Sequence, residues 1–171
     1  MNIESIPENL RIKLRNIRAL LLDVDGVLTD GSITYSDSTV ETKSFHVRDG
    51  YGITQAIQQG LLIGIITGRS SEIVLRRARE LGITDIYQGV MEKINAYKEF
   101  KTLYDLSDEN VAYIGDDEPD IPVLRAVRFS ASPSDAHASV QSVVDYITTN
   151  RGGKGAVREV IDMILSCRDT Q

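Results

Sequence analysis

A chain of 171 residues with 42% hydrophobic content can bury one substantial core, so a single domain spanning residues 1–171 is expected. A formal net charge of -6 argues against a nucleic-acid partner, since that binding rests on basic patches that release counterions; an anionic substrate needs locally placed positive charge. Cys167 stands alone, which excludes an intrachain disulfide, and Met1-Asn2-Ile3-Glu4 lacks the basic start and apolar core of a signal peptide; a cytoplasmic protein with no membrane partner is expected.

After a short polar amphipathic leader, Arg18–Leu22 reads as a buried strand. The segment that follows has period-two patterning over 31–35 and 41–47, on either side of the turn-rich Ser36-Asp37-Ser38-Thr39, and predicts a β-hairpin at about 31–47. An isolated hairpin is marginal in water, so Tyr35, Phe45 and Val47 are expected to pack on their own domain or on another subunit. Helical patterns at Gly50–Gln59 and Ser71–Leu81 are stopped by Gly60 and Gly82. Further strands are predicted at Leu61–Ile66, Asp85–Tyr87, Val111–Ile114, Arg128–Ser130 and Val143–Ile147. Helices are predicted at Glu92–Tyr104, Asp120–Ala126, Asp135–Ser142 and Gly155–Ser166. Such alternation implies an α/β fold: a Rossmann-like, mostly parallel sheet with helices on both faces, the hairpin as a flap, and no large cap domain.

In an open α/β sheet, ligands gather beyond the carboxyl ends of the strands. The first strand here runs into Asp23-Val24-Asp25-Gly26-Val27, the second into Thr67-Gly68-Arg69-Ser70, and Val111–Ile114 into Gly115-Asp116-Asp117-Glu118-Pro119-Asp120; Lys93 enters just after Tyr87. One Asp at a strand end is commonly a cap or turn former, but this ordered combination points to phosphoryl transfer. Alternation sends Asp23 and Asp25 to one side of the strand, and buried charges need partners. Mg2+ prefers oxygen ligands in an octahedral shell, so Asp23 and Asp116 are the expected direct ligands. Asp23 fits a nucleophile on phosphorus and Asp25 the acid/base that serves the leaving oxygen and then water. Lys93 supplies fixed positive charge, and Thr67 with nearby N–H groups supplies hydrogen bonds to phosphoryl oxygens. Gly26 and Gly68 permit close backbone approach.

These segments match, in order, the four motifs of the haloacid dehalogenase superfamily, which the chain resembles over nearly its whole length. The resemblance implies that Asp25 also lends its backbone carbonyl to Mg2+, that Asp120 supports the metal site from behind, and that Asp117 is a ligand or orienting group; Asp117 reads equally as a loop carboxylate. Three segments carry a closer likeness, to the capless phosphatases of 3-deoxy-D-manno-octulosonate 8-phosphate. They are Asp23-Val24-Asp25-Gly26-Val27-Leu28-Thr29-Asp30-Gly31, Ser44-Phe45-His46-Val47-Arg48-Asp49-Gly50 and Arg151-Gly152-Gly153-Lys154-Gly155-Ala156. That likeness implies hydrolysis of a phosphorylated sugar acid in lipopolysaccharide precursor synthesis, by a homotetramer whose neighbouring subunits help close each site.

A planar guanidinium grips a carboxylate through two parallel hydrogen bonds, so Arg69, Arg77 or Arg48 could hold the sugar-acid carboxylate. Arg69 follows the Thr-Gly pair, where related nonulosonate 9-phosphate phosphatases tend to carry Glu. Gly152-Gly153-Lys154-Gly155 opens a helix, where N–H groups attract anions, but lacks the Walker spacing; ATP is not expected, and a helix-opening loop competes with a substrate contact by Lys154. His46 and His137 do not argue a zinc site. Two other classes compete with the phosphatase. A receiver-like domain places its phosphoacceptor before its Thr and Lys, whereas here the Gly-Asp-Asp cluster follows both Thr67 and Lys93. A noncatalytic oligomerisation module has no need of Asp23, Asp25, Lys93 and Asp116 together.

Overall fold

The computed structural model describes residues 6–35 and 41–168. In chain order its elements are α1 (Glu8–Leu14), β1 (Ala19–Leu22), β2 (Thr34–Tyr35), β3 (Glu41–Thr42), α2 (Val47–Gln58), β4 (Leu62–Ile66), α3 (Glu72–Leu81), β5 (Asp85–Tyr87), α4 (Lys93–Leu103), β6 (Val111–Ile114), α5 (Ile121–Leu124), β7 (Phe129–Ser132), α6 (Ala138–Gln141), β8 (Tyr146–Ile147) and α7 (Ala156–Cys167). Six strands form one parallel sheet in the order β5-β4-β1-β6-β7-β8, and β2 with β3 forms a separate antiparallel ribbon. Strand β1 is central, with Leu22 in register with Ile65 of β4 and Ile114 of β6.

Strand alternation divides the core in two. Leu20, Leu22, Ile63, Ile65, Ala112, Ile114, Phe129 and Ala131 face the layer made by α1, α2, α3 and α7. Ala19, Leu21, Ile66, Val111 and Tyr113 face α4, α5 and α6. The sheet is thus buried on both sides, which is why its strands read as continuous apolar runs.

The expected alternation and both glycine stops are present; Gly82 ends α3 in the left-handed region at φ 83°. The ribbon is shorter than the period-two pattern implies. Pairing ends at Thr42, because His46 caps α2 with extended backbone and Gly50 N–H returns to the His46 carbonyl; residues 47–49, like the rest of α2, are helical. Val47 is accordingly 80% exposed, while Phe45 packs on the core. The turn Ser36–Thr39 and the Tyr35 side chain lie outside the described residues. The helix expected over Asp120–Ala126 divides into a 3-10 turn, Glu118–Asp120, and α5. Pro119 and Pro122 impose this, since proline fits only the first turn of a helix. Strand β8 keeps only the last two residues of its predicted span, and α6 four of eight.

Edge strand β8 is tied to α7 by one carboxylate. Glu159 is buried and accepts from Tyr146 Oη (2.8 Å), Thr149 N (2.9 Å), Thr149 Oγ1 (2.8 Å), Asn150 N (3.2 Å) and Asn150 Nδ2 (2.6 Å). These donors outweigh the burial that would raise its pKa and hold Glu159 below its ordinary value. Glu159→Ala leaves the donors unpaired and is expected to cost about 3 kcal/mol in urea unfolding, with Glu159→Gln recovering part of the loss.

Candidate active site

The acidic end of the sheet is built by the loops that leave β1, β4 and β6. Asp23 N–H donates to the Ile114 carbonyl at 3.0 Å, continuing the β1–β6 ladder one step beyond β1 and setting Asp23 beside the loop that begins at Gly115. Buried Val24, Val27 and Leu28 then anchor the turn that carries Asp25. Gly26 sits at φ +92°, and a Cβ there would stand 2.0 Å from Asp116 Oδ2, so only glycine lets the two acidic loops approach.

Asp23, Thr67, Gly68, Arg69, Lys93 and Asp116 line one cleft of about 250 Å3, with Asp25, Asp117 and Asp120 also on its wall. Lys93, the first residue of α4, is 5% exposed and lies 3.0 Å from Asp23 Oδ1 and 2.7 Å from Asp120 Oδ1. Burial alone would lower its pKa, but Asp23 and Asp120 outweigh it and raise it, so the ammonium is held charged. Asp120 is fully committed: Oδ1 also accepts from Tyr113 Oη at 2.5 Å, and Oδ2 from the N–H groups of Asp116 (3.1 Å) and Asp117 (3.3 Å). Its carboxylate therefore fixes Lys93 and the 115–117 loop. Asp117 is exposed and caps Glu118 N–H at 2.8 Å, which is a turn-forming role.

Oxygens of Asp23, Asp116 and Asp120 lie within 4.8 Å of one another. Asp116 Oδ1 is screened from solvent without a hydrogen bond, while Asp23 Oδ1, screened as well, is ion-paired with Lys93 at 3.0 Å. Burial, then Asp120, pushes the Asp23 pKa up to about 6, and burial, then Asp23 and Asp120, pushes Asp116 up to about 8. The unpartnered Asp116 oxygen, beside Asp23 in an all-oxygen donor set, fits a hard dication such as Mg2+.

Asp25 points away from this cluster toward the rim. It pairs with Lys43 Nζ, and Arg69 Nε stands 3.7 Å from its other oxygen. Glu41 completes the rim, 3.5 Å from both Lys43 Nζ and Arg69 Nη2, and accepts from Ser71 Oγ at 2.7 Å. The Lys43 side chain is only 1% exposed. Lys43 and Glu41 escaped sequence reasoning; the polar Glu41-Thr42-Lys43 run beside an expected flap was the available signal.

Three of the substrate residues expected from sequence lie elsewhere in the single chain. Arg48 and Lys154 line a separate depression with Thr149 and Arg158. Arg77 lies 5.9 Å over the Phe45 ring and pairs with Glu80 at 3.4 Å. The Gly152–Gly155 loop is a buttress: Gly153 N–H donates to the Val27 carbonyl at 2.9 Å, and a Cβ on Gly152 would strike the Gly26 carbonyl oxygen at 1.8 Å. The α7 N-terminus is already taken by buried Asp49, whose oxygens accept from Gly155 N (3.1 Å) and Arg158 N (2.7 Å), so it offers no phosphate loop.

A family model described as haloacid dehalogenase-like hydrolase matches residues 79–161. The 3-deoxy-D-manno-octulosonate 8-phosphate phosphatase of Escherichia coli BL21-DE3 is 44% identical over 160 residues, covering 94% of this chain and 85% of that protein. The chain belongs to this haloacid dehalogenase-like family. A crystal structure of the Yersinia pestis 3-deoxy-D-manno-octulosonate 8-phosphate phosphatase superposes with a TM-score of 0.93 at 43% identity, covering 95% of this chain and 88% of that one. The Moraxella catarrhalis phosphatase, in complex with magnesium, phosphate and KDO, gives 0.92 at 42% identity, covering 95% and 94% of the two chains. As a family member the chain is a phosphomonoesterase with Mg2+ as cofactor.

Asp23 and Asp116 hold protons when folded that the unfolded chain releases near pH 4, so metal-free stability falls as pH rises through about 6 to 8. Mg2+ displaces those protons, so its stabilisation is expected to grow over the same window. Urea unfolding at pH 6, 7 and 8, with chelator or with Mg2+, checks this; a magnesium increment that is flat with pH contradicts it.

Proposed function

We propose that this chain hydrolyses 3-deoxy-D-manno-octulosonate 8-phosphate to the free sugar acid and phosphate, with Mg2+, in lipopolysaccharide precursor synthesis. The observation that carries the reading is the convergence of Asp23, Thr67, Lys93 and Asp116 on one cleft, in a chain 44% identical to a phosphatase of that name.

Asp23 is the nucleophile. An oxygen of its carboxylate forms a bond to phosphorus as the bond from phosphorus to the sugar oxygen breaks, and that oxygen leaves with a proton from Asp25. Asp25, now anionic, takes a proton from water, which attacks the aspartyl phosphate and regenerates Asp23. The carboxylates of Asp23 and Asp116 and the carbonyl of Asp25 hold Mg2+, which offsets the negative charge that nucleophile and phosphoryl group bring together. Lys93 keeps Asp23 ionised and in place, and Thr67 with the Gly68 N–H donates to phosphoryl oxygens. An incoming ester offers its own charge to Lys43 and Arg69, which frees Asp25 to carry a proton. Arg69 then holds the sugar-acid carboxylate.

The chain works as one capless domain in the cytoplasm, as a homotetramer. Val47 and Tyr51, one turn apart on α2, are both exposed, and Arg48 lies beside them; a second copy seated there covers this apolar face and brings Arg48, Arg77 or Lys154 toward a neighbouring cleft. Sedimentation is expected to give a tetramer, and a fully active monomer contradicts shared sites.

The deciding experiment is phosphate release from 3-deoxy-D-manno-octulosonate 8-phosphate, a nonulosonate 9-phosphate and hexose phosphates, with chelator as control. The octulosonate ester is expected to lead, and Asp23→Asn to lower turnover about a thousandfold or more with the fold intact. Preference for the nine-carbon ester overturns the use of Arg69.

A further inference from the structure

The opposite end of the sheet carries a second polar hollow. Where the chain enters β1 and β4, a cleft of about 510 Å3 is lined by Arg15, Arg18 and Arg168, together with Asn16, Tyr104 and Asn110, and no carboxylate side chain of the described residues lines it. Its frame is fixed by hydrogen bonds. Asn110 Nδ2 donates to the Asn16 carbonyl at 3.2 Å, Arg18 N–H to the Asn110 carbonyl at 2.8 Å, and Tyr104 Oη is held by Asp85 at 2.7 Å. Arg168 Nη1 donates to the Gln59 carbonyl at 3.4 Å, which sets the guanidinium at the cleft wall.

Arg11, Arg76, Arg77, Arg128 and Arg158 each pair with an acidic neighbour. Among the described residues, Arg15, Arg18 and Arg168 enter no ion pair. Among the same residues Arg48, Arg79, Arg125 and Arg151 also enter none, so what sets Arg15, Arg18 and Arg168 apart is that all three line one cleft. Burial, then the charge of Arg18, lowers the Arg168 pKa, so two cations share the cleft, and among the described residues no carboxylate lines it. On a chain of net charge -6, such a cluster is a local exception to a field that repels anions.

We propose that this cleft is a second anion site, separate from the phosphoryl-transfer centre, which takes a small multiply charged oxyanion of the phosphate type. Guanidinium groups present paired N–H donors that match two oxygens of a phosphate, and converging arginines can engage its oxygens together. Free phosphate and the phosphate group of a metabolite share this chemistry.

The test is an amide NMR titration of the full chain in chelator, so that no ester turns over, with inorganic phosphate in one arm and glycerol 3-phosphate in the other. Sodium chloride at matched ionic strength is the control. Saturable shifts are expected at the amides of residues 15–18, Gly60 and Arg168. The paired exchange Arg18→Gln with Arg168→Gln is expected to weaken that binding about tenfold and to leave phosphate release at Asp23 unchanged. Arg15→Gln, an exposed position, gives the same reading should the pair unfold. Saturation by phosphate assigns the site to the free ion, and saturation by the ester alone to a phosphorylated metabolite; either supports the proposal. Shifts that sodium chloride reproduces, shifts confined to Thr67 and Asp116, or an affinity that the exchanges leave unaltered overturn it.

Discussion

Lys93 lies 3.0 Å from one carboxylate and 2.7 Å from another, almost out of solvent, at the point where three acidic side chains meet. Two unit charges about 4 Å apart interact by about 4 kcal/mol at an effective dielectric near 20, so this cluster cannot assemble without compensation. Lys93 compensates for one carboxylate. Two negative charges remain when all three are ionised, and they are relieved by taking up protons, as the raised pKa values of Asp23 and Asp116 record, or by a dication. The same imbalance therefore accounts for the proton affinity of the metal-free site and for its demand for Mg2+.

The constraint extends into the fold. Lys93 must open α4 at the level of the strand ends, which requires α4 to pack through Ala96, Tyr97 and Phe100 on the face that Leu21 and Tyr113 present. Tyr113 shares that face and sends its hydroxyl to Asp120, so the core and the site meet through one aromatic side chain. Asp120 reacts with nothing in the proposed chemistry; its work is to be the second partner of Lys93 and the acceptor for the loop that presents Asp116. Removing its charge would free Lys93 to collapse onto Asp23, the proposed nucleophile.

The residues at this centre were legible in the sequence because each ends or follows a strand, and strand ends converge in a parallel sheet whatever the loops do. Asp23, Thr67, Lys93 and Asp116 needed no knowledge of distant contacts. The rim was not legible for the opposite reason. Lys43 reaches Asp25 from a ribbon whose alternation said nothing about direction, and the same alternation ran on into Ser44–Val47, where a helix cap prevailed. Basic character alone placed Arg48, Arg77 and Lys154 near the substrate, but helix packing turns Arg77 onto Phe45 and sets the other two over α7.

Asp49 shows how a motif changes meaning once its partner is known. A glycine-rich loop before a helix is an anion site while its N–H groups are free, and here a carboxylate from α2 has already filled it, across more than a hundred residues of chain. Burial raises the Asp49 pKa against the pull of the Arg158 and Gly155 N–H groups, so the contact is retained at some cost in desolvation. That cost has a return at the catalytic loop. The capped loop is the surface against which the Gly26 carbonyl rests, and Gly26 lies next to Asp25 and against Asp116. The helix N-terminus thus acts on the site at one remove, by packing against the turn on which Asp23 and Asp25, the proposed nucleophile and acid, stand two residues apart.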